Sequence, residues 1–158
     1  MSHRWAALVL VLALCANTLR HAAGQTGQQP RERGAKGKLG QNYPNPFNPE
    51  TNIDFAVGDE DCTGDSRQYV VTLRVINVTV VDVADFVLAG PSATSMTNVP
   101  SSLIKQPIRN MRLPCGSYRG YWDGNLRGTR KEAASGIYIA QLFVNKKVVN
   151  SMKMAIIK

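Results

Sequence analysis

The sequence predicts an all-β protein, an antiparallel β-sandwich of about seven strands. Apolar and polar residues alternate over residues 52–57, where Ile53, Phe55 and Val57 share one face. Residues 69–83 are dense in β-branched side chains, which favour strands. Glycine and proline are frequent enough to supply many turns, as a small all-β domain requires.

Residues 1–24 are predicted to be a secretory signal peptide. Arg4 gives a positive start, residues 5–15 are apolar, and small residues precede a cleavage point after Gly24. The apolar run is too short to span a bilayer, which takes about 20 residues, so no transmembrane segment is expected after signal removal. Lipidation of Cys15 is disfavoured because Leu14 is bulky where a small residue is required. We expect export to the periplasm, and from there to the cell surface or the extracellular medium.

Residues 25–38 are predicted to be a flexible basic linker, since they are rich in Gln, Gly, Arg and Lys without apolar periodicity. The alternative is a basic arm that touches anionic lipid or polysaccharide. Residues 1–38 carry six of the basic residues and one acidic residue, which is +5 of the net charge of +8. Because the excess lies largely outside the predicted domain at 39–158, we expect no nucleic-acid partner.

Three prolines define the segment that leads into the domain. Pro44, Pro46 and Pro49 each restrict their own φ and exclude the preceding residue from the α region. Residues 39–51 are therefore predicted to form a stiff series of extended steps and turns, which delivers the chain into a first strand at 52–57.

Residues 58–66 form an acidic, glycine-containing segment after this strand and are predicted to be a solvated loop. Asp59, Asp61 and Gly64 fall at positions one, three and six of a calcium loop, but Val70 occupies the twelfth position, where a glutamate is required. A metal site is therefore not expected.

The remaining strands are read from alternation and turn residues. Two strands within residues 69–89 are joined near 77–82, and a long loop covers 91–107. Further strands are predicted at 108–113, 116–122, 137–144 and 148–157, with turns at 123–124 and 145–147. We expect Trp122 to fill the core rather than stack on a ligand. The predicted inward positions are Phe55, Leu73, Val75, Trp122, Tyr138 and Leu142.

The sequence shows no catalytic constellation. Both histidines, His3 and His21, lie in the predicted signal peptide, so histidine-based triads and metal sites are not expected in the mature chain. No phosphate-binding glycine loop opens a helix. We predict a protein that is not an enzyme and has no cofactor, no metal and no small-molecule substrate.

Signal removal leaves two cysteines, Cys62 and Cys115. An even pair in an exported chain predicts a structural disulfide. The alternative is two unpaired buried thiols.

The proline segment resembles the opening of the C-terminal sorting domains of the bacterial type IX secretion system, and of related Ig-like domains of the flagellar hook-capping (FlgD) kind. The resemblance covers residues 39–158 in order. The motif residues are Asn42, Tyr43, Pro44, Asn45, Pro46, Phe47, Asn48, Pro49, then Trp122, Asp123, Gly124, Ser135, Gly136, Tyr138, and finally Lys153 to Lys158 in the last strand. The chain lacks the family's Leu-Gly turn near 77–82. It also has Asn125, Leu126 and Arg127 where acidic residues are common.

This resemblance implies an Ig-like fold and a non-catalytic role as a C-terminal sorting signal recognised by the outer-membrane secretion machinery. A hook-capping relative is expected to lack a cleaved signal peptide and to carry its Ig-like domain within a longer chain. In this sequence the predicted linker 25–38, and not a passenger domain, precedes the predicted sorting domain. A second hypothesis is therefore a stand-alone extracellular adhesion or carbohydrate-binding module. Such a module would expose clustered aromatic residues, and the 91–107 loop contains none.

Overall fold

Two antiparallel sheets face each other across one layer of buried side chains in the computed structural model, which describes residues 36–58, 62, 66–91 and 99–158. The predicted all-β sandwich is confirmed. Nine strands are present in these residues: β1 (Gly37–Tyr43), β2 (Thr51–Val57), β3 (Gln68–Asn77), β4 (Asp82–Asp85), β5 (Val87–Pro91), β6 (Met111–Pro114), β7 (Gly116–Trp122), β8 (Gly136–Val144) and β9 (Lys147–Ile156).

One sheet has the strand order β1-β2-β7-β5, and the other has the order β4-β3-β8-β9. Strand β6 lies beside β3 in the second sheet, on the edge that β4 also uses. It pairs with residues 68–71 of β3, whereas β4 pairs with residues 74–76. Two short strands from separate parts of the chain therefore complete one edge of β3.

The predicted strand at 82–89 is broken at Phe86, which is a correction to the sequence analysis. The side chain of Phe86 is fully buried, and its amide donates to the carbonyl of Leu73 (3.1 Å) while its carbonyl accepts from Ile108 (2.8 Å). Residues before Phe86 pair in the β3 sheet, and residues after it pair with β7 in the other sheet. The apolar pattern runs through both strands because both face the same core.

Strand β1 was not expected, because prolines dominate the sequence that follows it. It pairs with β2 with an irregularity between Leu39 and Asn42, and it begins at Gly37, two residues inside the segment predicted as linker. Thus β1 and the division at Phe86 account for nine strands rather than seven.

The alternation predicted for β2 is confirmed, since Ile53, Phe55 and Val57 are buried. Of the predicted inward residues, Phe55, Leu73, Val75, Trp122 and Leu142 are buried, and Tyr138 is partly buried against the same core. The fully buried side chain of Tyr118 stacks on Phe55 with ring centroids 5.5 Å apart and donates its hydroxyl proton to the carbonyl of Pro114 (2.7 Å). Burial raises the pKa of Tyr118 above its ordinary value.

Glycine 120 faces the core in the middle of β7. A Cβ atom there would approach Leu73 Cδ2 to 3.1 Å and Phe86 Cβ to 3.3 Å. The missing side chain therefore leaves the space into which Phe86 packs as the chain crosses between sheets.

Several sequence-based expectations fall outside the described residues. These are the signal peptide at 1–24, the linker at 25–35, most of the acidic loop at 59–65 and the part of the long loop at 92–98. The rest of that loop includes Pro91 in β5 and a 3₁₀ turn at Ser101–Leu103. In the part of the chain that is described, no helix has the length and apolar character needed to cross a membrane.

The predicted disulfide is present between Cys62 and Cys115, with the Cα atoms 5.4 Å apart. Cys115 lies between β6 and β7, and Cys62 lies in the connection between β2 and β3. The bond therefore ties that connection to the point where the chain passes between the sheets.

Reduction of this disulfide is expected to lower the free energy of unfolding by about 4 kcal/mol, because the bond closes a loop with a sequence separation of 53 and so restricts the unfolded chain. Urea denaturation with and without reductant measures the change. The double variant Cys62→Ser/Cys115→Ser is the control and should be insensitive to reductant. An unchanged urea midpoint for the reduced wild type would contradict the prediction.

Candidate functional site

The residues that carry the family resemblance converge at one edge of the sandwich. Residues 44–50 connect β1 to β2 and are called the proline loop below. The peptide bonds that precede Pro44, Pro46 and Pro49 are cis. The loop lies against the C-terminal end of β9 and against the turn that follows Trp122.

Two buried polar side chains close the proline loop at its base. Asn42 Nδ2 donates to the Pro44 carbonyl and to Thr51 Oγ1, both at 3.0 Å. The Thr51 hydroxyl donates to the same carbonyl at 3.0 Å. Asn42 is 1% exposed and Thr51 is fully buried, so each hydrogen bond satisfies a group that water does not reach. Asn42 and Thr51 therefore hold the two ends of the loop together.

Phe47 joins the proline loop to the last strand. Its amide donates to the Ala155 carbonyl (3.0 Å), and its carbonyl accepts from the Ile157 amide (3.1 Å). The Ala155 amide donates to Asn45 Oδ1 (3.0 Å). Phe47 thus pairs with Ile156 in a parallel bridge, which adds one residue to the sheet beside the edge strand β9. A segment near the start of the domain is thus bonded to its last strand.

The Phe47 side chain is buried against Trp122, with ring centroids 5.6 Å apart in an edge-to-face arrangement. Phe86 and Tyr138 contact the same indole at centroid distances of 6.3 and 5.8 Å. Trp122 Nε1 donates to the Asn125 carbonyl (2.9 Å), which satisfies the polar atom of the buried ring. Trp122 is therefore a core residue, as predicted.

The turn at Asp123 and Gly124 packs on the proline loop. Asp123 accepts hydrogen bonds from the amide and the side chain of Asn125 (2.9 and 2.8 Å), which shapes the turn. Gly124 has φ of +80°, and a Cβ there would lie 2.5 Å from the Pro49 carbonyl oxygen. Glycine is required for both reasons.

The later motif residues meet the same edge. The Ser135 hydroxyl accepts from the Lys158 amide (3.1 Å), and Lys158 Nζ lies 2.8 Å from Glu132 Oε2. Tyr138 donates its hydroxyl proton to the Ala134 carbonyl (3.1 Å). Gly136 begins β8, paired with Ile156, and Lys153 pairs with Ile139 on the solvent-facing side.

The motif divides into a buried half and an exposed half. Asn42, Phe47, Trp122 and Gly124 are buried, whereas Tyr43 is 81% and Ile157 57% exposed. We call the exposed residues of this edge the motif surface: Tyr43, Pro44, Asn45, Pro46, Asn48, Lys153, Ile157 and Lys158. The motif surface offers amide, aromatic, apolar and ammonium groups, which suit recognition of another macromolecule.

The described residues contain no group of three or more His, Cys, Asp or Glu side chains placed to hold a metal ion. The acidic residues Asp59 and Asp61, weighed as calcium ligands, lie outside the described part. Glu50, at the end of the proline loop, accepts a hydrogen bond from the Tyr121 hydroxyl (2.8 Å). Burial, together with this bond to a carboxylate, raises the pKa of Tyr121 to about 12.

A cluster of charged residues, which the sequence analysis did not find, lies at the β4 edge of the second sheet, opposite the β9 edge. Asp82 and Asp85 of β4 bind the guanidinium groups of Arg109 and Arg127, and Arg74 Nη1 lies 3.7 Å from Asp82 Oδ2. We call these five residues the Arg–Asp network. The arginines come from three separate segments, so no local pattern indicates the network.

Partial burial would raise the pKa of Asp82, but hydrogen bonds and charge attraction from Arg109 and Arg127 outweigh it and lower this pKa below its usual range. The hydrogen bond to Asp85 raises the pKa of Arg109, with a further contribution from Asp82. Asp82 and Arg109 are therefore both charged at neutral pH.

The chain matches no known protein-family model, and no curated protein matches it. Among solved structures it is similar to the alkylpurine DNA glycosylase AlkC of Pseudomonas fluorescens bound to DNA containing an abasic site analog, at 16% sequence identity and a TM-score of 0.44. The match covers 79% of this chain and 31% of the glycosylase chain. This likeness is too weak to bear on function.

The substitution Phe47→Ala is expected to destabilise the protein by about 3–5 kcal/mol, since it leaves a cavity beside Trp122. The Ile157 amide, which is bonded to the Phe47 carbonyl, should also exchange with solvent faster. Urea denaturation and hydrogen exchange measure the two effects. The control Tyr43→Ala, at an exposed neighbour, should change stability by less than about 0.5 kcal/mol. Equal effects of the two variants would show that the loop does not depend on the buried ring.

The pH dependence of stability should report on Asp82. Because its folded pKa is lowered, its ion pairs stabilise the fold above the ordinary carboxyl pKa of about 4 and lose this effect as pH falls through the folded value. Asp82→Asn should therefore cost on the order of 1 kcal/mol at neutral pH and nothing once the carboxyl is protonated. Urea denaturation from pH 7 to pH 2 measures the difference, and Glu132→Gln, at an exposed ion pair, is the control. A difference independent of pH would contradict an ionic origin.

Proposed function

We propose that the β-sandwich is a non-catalytic sorting module, exported to the periplasm and recognised there by the outer-membrane type IX secretion machinery. The observation that carries this proposal is the bonding of Phe47 to Ala155 and Ile157. These hydrogen bonds join the sequence motif and the last strand in a single surface. Because this surface forms only when the domain is folded, a partner that binds it recognises the folded domain.

The rigidity of the motif surface supports recognition. Asn42 and Thr51 close the loop beneath the surface, and the buried ring of Phe47 holds its centre against Trp122. A loop held in one conformation loses little entropy when a partner binds. The exposed groups on it are therefore presented in a constant arrangement.

Tyr43 is the residue that we expect a partner to contact most strongly. Its side chain is 81% exposed although it lies within a segment whose other aromatic residue, Phe47, is buried. An exposed tyrosine brings a large apolar area and a hydroxyl group with few rotatable bonds, which is why tyrosines are frequent at interface hot spots.

The second hypothesis, a stand-alone extracellular adhesion or carbohydrate-binding module, receives no support from clusters of exposed aromatic residues. Among the described residues, Tyr43 is the aromatic side chain that is largely exposed. A single ring does not form a stacking platform on a sheet face. We therefore retain the sorting role as the proposed function.

The test places a reporter between residues 24 and 25 of the full chain and follows it in hosts with and without a working type IX system. We expect release or surface display only where the system works. Deletion of residues 148–158 should abolish it, because the last strand contributes to both the core and the motif surface. A reporter that stays in the periplasm of both hosts would refute the proposal.

Point variants then separate recognition from folding. Tyr43→Ala should reduce export several-fold while the melting temperature is retained. Val148→Ala, which removes an exposed apolar side chain at the opposite end of β9, is the matched control and should be exported normally. If Tyr43→Ala is exported as well as the control, recognition does not depend on the motif surface at Tyr43.

A further inference from the structure

The outer face of the β3 sheet carries an open depression of about 240 Å³. It lies toward the end of the sheet where β8 turns into β9, whereas the motif surface lies at the end where β8 begins. The side chains that define its chemistry are Thr72, Arg74, Arg109, Asn110, Phe143 and Lys146. Three of these are cationic, and no acidic residue within the described ranges lines the depression.

Two neighbours from β8 orient the guanidinium of Arg74, one against a face and one along an edge. Its guanidinium carbon lies 4.5 Å from the centroid of the Phe143 ring, and Nε and Nη2 donate to Gln141 Oε1 at 3.3 and 3.0 Å. A guanidinium has five N–H groups, so donors remain after these two bonds. The cation is thus oriented before any ligand arrives.

The two aspartates of the Arg–Asp network fix the orientation of the Arg109 guanidinium. Its Nε and Nη2 atoms donate to Asp85 and Asp82, with distances of 2.6 to 3.0 Å. Its Nη1 atom makes no hydrogen bond to any described residue. The carboxylates therefore use one edge of the guanidinium and leave the other edge available to an acceptor.

The local charge is positive even after the aspartates are counted. Arg74, Arg109, Arg127 and Lys146 oppose Asp82 and Asp85, which leaves two positive charges. Lys146 lies in the turn between β8 and β9 and is exposed. Oriented guanidinium groups and a mobile ammonium group are a donor set suited to a carboxylate or sulfate.

The size of the depression limits the ligand. Pockets that enclose a whole drug-sized molecule have volumes of about 300 Å³ or more, so this open depression suits one ring-sized unit of a longer chain. A single-stranded nucleic acid would require an aromatic face on which a base can stack, but Arg74 covers a face of Phe143. The exposed valines of the β3–β4 turn could contact a lipid surface. They follow the C-terminal end of β3, however, whereas the depression lies near the N-terminal end of this strand.

We propose that this depression binds the carboxylate- or sulfate-bearing ring of an acidic polysaccharide, with Arg74 and Arg109 as oriented hydrogen-bond donors and Lys146 as a third cation. This site recognises the sugar by its charge and does not depend on aromatic stacking. It is separate from the motif surface and does not rest on the sorting role.

Isothermal titration calorimetry with the full chain provides the test. The probes are oligogalacturonate for the carboxylate, sulfated dextran oligomers for the sulfate, and neutral dextran as the uncharged control. We expect binding to at least one of the anionic probes and none to neutral dextran, with affinity that falls as salt is added. Phosphatidylglycerol vesicles and single-stranded DNA are included as competing anionic surfaces.

Two lysines allow a matched comparison. Lys146 and Lys105 are both exposed residues with positive φ (66° and 64°), but Lys105 does not line the depression. Lys146→Glu should weaken binding about tenfold or more, as expected for loss of a charged hydrogen-bond donor, whereas Lys105→Glu should change it less than about twofold. Equal weakening by the two variants would overturn the proposal, because it would show attraction to general positive charge.

Arg74→Lys tests whether geometry matters as well as charge. This variant retains the positive charge but loses the planar donor edge, so binding should weaken at least severalfold. Wild-type affinity in Arg74→Lys would contradict the proposed role of Arg74. Tighter binding of vesicles or DNA than of both acidic probes would overturn the polysaccharide assignment. Circular dichroism confirms folding of each variant, and the two lysine variants decide the question if Arg74→Lys does not fold.

Discussion

The packing of aromatic side chains around Trp122 is the interaction on which the rest of the structure depends. Its indole meets Phe47 from the proline loop, Phe86 from the crossing between sheets and Tyr138 from β8. These contacts join segments that are distant in the sequence. Each buried aromatic ring removes enough apolar area from water to contribute about 1.5–3 kcal/mol, so the cluster stabilises the edge at which the motif lies.

This cluster explains why the motif has two kinds of residue. The buried ones, such as Phe47 and Gly124, are required because a smaller side chain at Phe47 would leave a cavity and any side chain at Gly124 would meet Pro49. The exposed ones, such as Tyr43 and Asn48, have no packing role of comparable size and are available to a partner. The structure therefore separates residues that build the surface from residues that a partner could contact.

The two charged or polar surfaces of the sandwich are built differently. At the motif surface, rigidity comes from buried hydrogen bonds beneath the proline loop. At the depression on the β3 sheet, it comes from the carboxylates that bind Arg109 and from the β8 side chains that contact Arg74. Both arrangements orient exposed groups before binding, and they occupy opposite ends of the second sheet, so the protein could present both at once.

The sequence by itself indicated most of the strands, although not β1, and it indicated which faces are buried, because alternation at Ile53, Phe55 and Val57 is a local record of burial. It also indicated the bond between Cys62 and Cys115, since the two cysteines outside the predicted signal peptide allow one pairing. The tertiary structure alone decided that the chain changes sheets at Phe86, that Phe47 bonds to the last strand and that arginines 74, 109 and 127 meet Asp82. The physical reason is that a residue pattern reports its own environment, whereas the choice of partner depends on contacts between distant segments.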